Sequence, residues 1–224
     1  MKSPERTLYV VFTMDCLPAR PRGPVDGPSS WDDAEGAMMD FASALDEHGV
    51  TGTFFVVPEA LTDLDGAVKD LQEDGFEAGL LCHPPISGYK SWFGAYPYET
   101  QREIARVARS SWEQKLGEEV DTIRTGYFSG DDYTFQVLCM EGFKQGSCSL
   151  PGKVNEKHSC MWKGSYPLAR HTDPLDRKLK GTMEFYEVPV TSDFDAESGN
   201  TTSEFTPPHL SLSDPSGADA VPEL

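Results

Sequence analysis

Five residues in this chain could together do acid–base or metal chemistry: Asp15, Cys16, His83, Arg124 and His171. They sit in Thr13-Met14-Asp15-Cys16, Cys82-His83-Pro84-Pro85, Ile123-Arg124-Thr125 and Arg170-His171-Thr172-Asp173. A carboxylate can take a proton from water, and an imidazole can pass one on or bind a metal. A thiolate is a zinc ligand at about 2.3 Å. A guanidinium beside a carboxylate favours its charged form and orients it. Each residue also has a plainer use. Asp15 can cap a loop, His83 before two prolines can shape a turn, and the thiols can pack as small apolar groups.

The surrounding pattern is what could bring them together. The apolar run Thr7 to Met14 reads as a buried strand ending at Asp15-Cys16. A Pro/Gly-rich loop follows to Ser29. Ser30-Trp31-Asp32-Asp33 then has the form of a capping box, with Ala34, Met38, Phe41 and Leu45 at helical spacing up to Gly49. Thr53 to Val57 reads as a second strand. A helix opened by Thr62-Asp63-Leu64-Asp65 carries Leu64, Ala67, Val68 and Leu71 and ends at Gly75. A third strand, Phe76 to Leu81, delivers Cys82-His83, and an aromatic loop runs from Ile86 to Tyr98. The spacing predicts a helix from about Thr100 to Leu116, with Ile104, Val107, Ala108 and Ser111 on one face. A short strand over 121–124 ends in Arg124. A helix over 133–140, a strand over 143–147, an irregular stretch over 149–181 and a strand over 184–190 complete the pattern. Strand–helix alternation of this kind predicts an α/β parallel sheet or barrel. In such folds functional residues gather beyond the C-terminal strand ends, where these candidates stand.

Charge and composition exclude several partners. The 224 residues carry 19 Lys plus Arg against 37 Asp plus Glu, a formal charge of −18. That field repels phosphate backbones, so neither a general nucleic-acid partner nor an anionic membrane is expected. No apolar run reaches the length of about 18 residues that spans a bilayer. The basic start leads directly into Thr7 to Phe12, too short for a signal core and without a small-residue cleavage site, so a cytoplasmic protein is expected. The five cysteines lack CxxC spacing and are expected to be reduced thiols. Residues 191–224 hold acidic groups but no Lys or Arg, the composition of a tail or peripheral cover.

Taken in order, Thr13-Met14-Asp15-Cys16, Gly52-Thr53-Phe54-Phe55-Val56, Gly75 to His83, Ile123 to Phe128, Glu141-Gly142-Phe143 with Gly146 to Ser149, and Glu187-Val188-Pro189-Val190 resemble the polysaccharide deacetylase (NodB-homology) family. The resemblance spans roughly residues 7–192. It implies a distorted or partial (β/α) barrel over 7–192 and an acidic polar tail over 193–224. It also implies a metal-dependent hydrolase that removes an acyl group from an N-acylated sugar at a carbon–nitrogen, non-peptide bond. Under it Asp15 is the general base, Arg124 orients that base, and His171 is the candidate general acid. The metal, zinc or another divalent ion, falls to Cys16 and His83. Cys16 stands where the family has Asp, and Ser87 where it has a second imidazole. A third ligand would come from Cys82, His158, His171 or Asp173. Cys82 is the poorer choice, because adjacent residues on extended chain face opposite ways. Tyr89, Trp92, Phe93, Tyr96 and Tyr98 could form a sugar-stacking wall or simply cover the core. Two other readings stay open: a catalytically degenerate carbohydrate-binding or regulatory protein on the same scaffold, and a thiol site at Cys16 and Cys82 with a low-pKa thiolate. Asp131-Asp132 is expected to cap the helix that follows.

Overall fold

A computed structural model describes residues 9–19, 27–192 and the two-residue strand Glu204–Phe205. Its main strands are β1 (Phe12–Cys16), β2 (Gly52–Val56), β3 (Glu77–Cys82), β4 (Thr122–Thr125) and β5 (Gln145–Gly146). Shorter ones are β6 (Val154–Asn155), β7 (Cys160–Met161), β8 (Arg170–His171), β9 (Tyr186–Glu187) and β10 (Glu204–Phe205). The helices are α1 (Trp31–Glu47), α2 (Leu61–Glu73), α3 (Tyr98–Leu116) and α4 (Thr134–Met140).

β2 is buried at every residue, as a strand covered on both faces must be. It lies in a seven-stranded sheet ordered β1-β2-β3-β4-β5-β9-β8. All neighbours run parallel except β8, which is antiparallel to β9. β10, β6 and β7 form a separate small antiparallel sheet. The alternation of strand and helix thus yields the α/β parallel sheet expected of it. Among the described residues the sheet does not close on itself, and β1 is an edge strand with β2 as its neighbour.

That edge corrects one expectation. The run leading into β1 was expected to be buried, yet Tyr9, Val10 and Val11 are exposed and Phe12 is 37 % exposed. Among the described residues nothing flanks the outer side of β1, and Tyr9 to Val11 precede the strand. Thr7 and Leu8 lie outside the described residues. The late strands also shrink, β5 and β9 to two residues each, while the Val188 and Val190 N–H groups still reach the Gly146 and Ser149 carbonyls.

α1 opens and α3 ends on their local signals, whereas α2 begins at Leu61, ahead of the Thr62-Asp63 signal, with no side-chain cap. The Ser30 hydroxyl caps α1 by accepting the Asp33 N–H at 3.0 Å. Gly117 ends α3 in the left-handed conformation at φ 77°, where a Cβ would be strained. α3 buries Gln101, Ile104, Ala105 and Trp112, while Val107 is 51 % exposed rather than on the buried face. The large Trp112 draws the 104–108–112 row inward, which turns residue 107 toward solvent. Phe54, Phe55, Phe93, Phe135, Phe143, Phe185, Trp112 and Trp162 fill the core. No described helix is long and apolar enough to cross a membrane.

Candidate functional site

Alternation along β1 puts Thr13 and Asp15 on one face of the sheet. Arg124, on β4, meets both. Its Nη1 donates to Asp15 Oδ1 at 2.7 Å and its Nη2 to Thr13 Oγ1 at 3.1 Å. Three inter-strand spacings would separate β1 from β4 by about 14 Å in a flat sheet. Direct contact therefore requires a strongly curled sheet, with these residues inside the curl. Arg124 also donates from Nε to the Ser147 carbonyl at 3.0 Å and from Nη2 to Ser147 Oγ at 2.8 Å. Its guanidinium carbon lies 4.2 Å from the Phe55 ring centroid and 5.6 Å from that of Phe128. Gly79 makes room for Phe55, since a Cβ there would lie 3.0 Å from the ring. Arg124 is thus buried and partnered at every nitrogen, whereas the Asp15 side chain is 41 % exposed. A solvent-facing carboxylate clamped by a buried cation is equipped to orient a water and receive its proton.

His83 leaves β3 into a different environment. It is buried, with its ring edge-on to Trp92 at 5.0 Å and to Tyr127 at 6.1 Å. His158 joins the same rings, 4.7 Å from Trp92 and 4.4 Å from Tyr127. Tyr127 and Phe128 both have left-handed backbone, at φ 55° and 56°. Such conformations cost about 1–3 kcal/mol each and are kept only where the surroundings enforce them. Here the strained turn sends the Tyr127 ring to the two histidines and the Phe128 ring to Arg124, linking both halves of the site. Trp162 Nε1 pins the turn by donating to the Phe128 carbonyl at 2.7 Å.

Gly126 is required beside His83. A Cβ at that position would lie 2.6 Å from His83 Cδ2. Gly126→Ala is expected to lower stability by about 1–3 kcal/mol, since the ring has packed neighbours on its other sides. Urea unfolding checks this, and an unchanged midpoint would show that the ring yields freely.

The expected aromatic wall divides. Trp92 turns to the histidines, Phe93 is fully buried core, and Tyr89 and Tyr96 pack on each other at 6.0 Å. Tyr98 meets Tyr133 at 5.9 Å.

The residues expected to hold a metal are not assembled as a donor set. Cys16 is buried beside Asp15, and both border a cavity of about 220 Å³ with Ala34, Ala37 and Met38 of α1. Burial, and then the Asp15 charge, push its thiol far above the usual range. Burial does the same to Cys82, so neither is a low-pKa thiolate. Ser87 is exposed, and its N–H donates to the His83 carbonyl at 3.3 Å. His171 is exposed on β8, with Nδ1 2.9 Å from the Met183 carbonyl and its ring beside Tyr186. The sheet order puts it at the opposite edge from Asp15. The Asp173 carboxylate accepts the N–H groups of Leu175 and Asp176. Among the described residues no three His, Cys, Asp or Glu come together as a metal-binding group. This donor set does not fit zinc. The two aspartates before α4 also part ways: Asp131 accepts the Tyr133 N–H at 3.0 Å, and Asp132 pairs with Arg177.

Glu187 escaped the residue pattern. It is fully buried on β9, and burial raises its carboxyl from about 4.5 to about 7 against the opposing pull of Ser149, Arg170 and Cys148. Between those pH values the folded chain holds a proton that the unfolded chain has lost. Its contribution to stability is therefore present below about pH 4.5 and declines as pH rises toward 7. The full swing is about 3 kcal/mol. Glu187→Gln cannot titrate, so the difference in unfolding free energy between variant and parent should grow by that amount from pH 4.5 to pH 8. Parallel pH slopes for the two proteins would contradict it.

No family model and no curated protein matches the chain. Among solved structures, a provisionally assigned polysaccharide deacetylase from Mycobacterium smegmatis superposes with a TM-score of 0.50 at 18 % identity, over 69 % of this chain and 45 % of that one. This chain therefore spans less than half the length of that deacetylase. A family 4 carbohydrate esterase from Streptomyces lividans, in complex with acetate, gives a TM-score of 0.41 at 19 % identity, over 62 % of this chain and 61 % of the other. A pseudoenzyme of the same esterase family from Bacillus anthracis gives 0.45 at 12 % identity, over 59 % and 40 %. What is shared at this identity is the fold, and the chain is built on the partial (β/α) barrel of the polysaccharide deacetylases.

Proposed function

We propose that this chain is a deacetylase-like protein whose strand-end rim takes an N-acylated carbohydrate, with Asp15 as the proton-accepting group and Arg124 as its orienting partner. The observation that carries the reading is the 2.7 Å pair between a buried guanidinium and a half-exposed carboxylate at a strand end. In this reading water adds to the acyl carbonyl and Asp15 takes its proton. The proton held by Asp15 then passes to the nitrogen as the carbon–nitrogen bond breaks, and the free amine and the carboxylic acid are released. Tyr127, 42 % exposed, offers a ring face on which the apolar side of a sugar could stack. A metal would polarise the carbonyl, but the residues present do not fit one and no step is assigned to it.

The test is acetate release from N-acetylglucosamine oligomers by the full chain, with added zinc and with EDTA. Release supports hydrolysis at this site; none under either condition overturns it. A second reading, carbohydrate binding without turnover, is favoured by the divided metal donors. It expects calorimetric binding of the same oligomers to survive EDTA. It also expects zinc titrated into chelator-stripped protein to show no tight one-to-one site. Tight zinc binding weakened by both Cys16→Ala and His83→Ala would restore the metal centre and overturn the second reading.

A further inference from the structure

Two of the four hydrogen bonds that seat Arg124 go to one residue, Ser147, on the chain leaving β5. β5 ends at Gly146; the Ser147 N–H still goes to the Ile123 carbonyl of β4, and the N–H groups of Cys148 and Ser149 need partners from outside the main ladder. Glu187 supplies them. Its Oε1 accepts the Cys148 N–H at 2.9 Å, the Ser149 N–H at 2.8 Å and the Ser149 hydroxyl at 2.6 Å, and its Oε2 lies 3.2 Å from the Cys148 nitrogen. The Glu187 side chain is fully buried, a costly place for a carboxyl group unless its hydrogen bonds are used. Arg170, its cross-strand partner, directs its own donors to Ser165, Tyr166, Arg177 and Leu179. The acceptor capacity of Glu187 is therefore committed to residues 148 and 149.

We infer that Glu187 is a positioning residue, holding the 147–149 backbone where Ser147 seats Arg124 against Asp15. The inference rests on the reading of Asp15 as the working carboxylate. A continuous chain of contacts runs from Glu187 through Cys148 and Ser149 to Ser147, Arg124 and Asp15.

The test follows the Arg124 Nε–H by nitrogen-15 NMR in the full chain, assigned by its loss in Arg124→Lys. The Trp162 indole N–H, which bonds to Phe128, serves as the internal reference. Glu187→Ala should speed solvent exchange at Arg124 Nε–H by about tenfold while leaving Trp162 within about twofold. Glu187→Gln, which retains the Oε1 acceptor, should restore the parent rate. If Glu187→Ala does not fold, Glu187→Asp withdraws the acceptor by one methylene and should speed exchange about threefold. Unchanged exchange at Arg124, equal acceleration at Trp162, or failure of Gln to restore the rate would each overturn the inference. The readout uses no substrate, so absence of acetate release would count against the role of Asp15 and leave the Glu187 coupling standing.

Discussion

Arg124→Met is expected to lower the free energy of unfolding by about 3–5 kcal/mol, the cost of breaking a buried ion pair from one side. Methionine fills nearly the same volume, so little of the loss would come from a cavity. What disappears is the set of four hydrogen bonds to Thr13, Asp15 and Ser147, together with the charge over Phe55. Asp15 can recover water because its side chain is 41 % exposed, which places the expected value at the lower end. Ser147 is buried and cannot recover it as easily. Arg124→Lys keeps the charge but has one nitrogen for three partners, and should forfeit about half as much. Urea midpoints with unchanged slopes measure both. A loss below about 1 kcal/mol in the methionine variant would mean that the network makes no net contribution.

Asp15→Asn is expected to cut acetate release by about 10²–10⁴-fold, the usual contribution of a positioned general base. Stability should fall by about 1–3 kcal/mol, because the buried Arg124 guanidinium loses its counter-charge while keeping its hydrogen bonds. The amide oxygen can still accept the Arg124 Nη1 proton, so the geometry survives while the basicity is lost. Folding is therefore checked by the same urea curves. Undiminished release in a folded Asp15→Asn protein would remove Asp15 from the chemistry.

Much of the scaffold was legible because its signals are local. Ser30 caps α1 through the side chain that the capping pattern named. Gly117 stops α3, and the apolar runs of β2 and β3 are buried. One part of the site was legible too. The period of two along a strand separates Cys82 from His83 and made Cys82 the poorer ligand, whereas Cys16 was expected to hold the metal. The burial of Glu187 left only a faint trace, a charged residue inside the run Phe185 to Val190. The exposure of β1 left none, since an apolar run looks the same at an edge as in the middle of a sheet.

While β6, β7 and β8 fall in a stretch it left irregular, the sequence by itself determined the order of the main strands and helices, the Ser30 cap and the Gly117 stop, and which residues stand at the main strand ends. These depend on side-chain periodicity and backbone preferences within a few residues. Only the tertiary structure decided that the sheet curls enough for Arg124 to reach Asp15, that Trp92, Tyr127 and His158 gather around His83, and that Glu187 fastens the segment behind Arg124. Those contacts join residues far apart in the chain. They exist because curling the sheet buries apolar faces against one another, and the few polar groups carried inside must then find partners there.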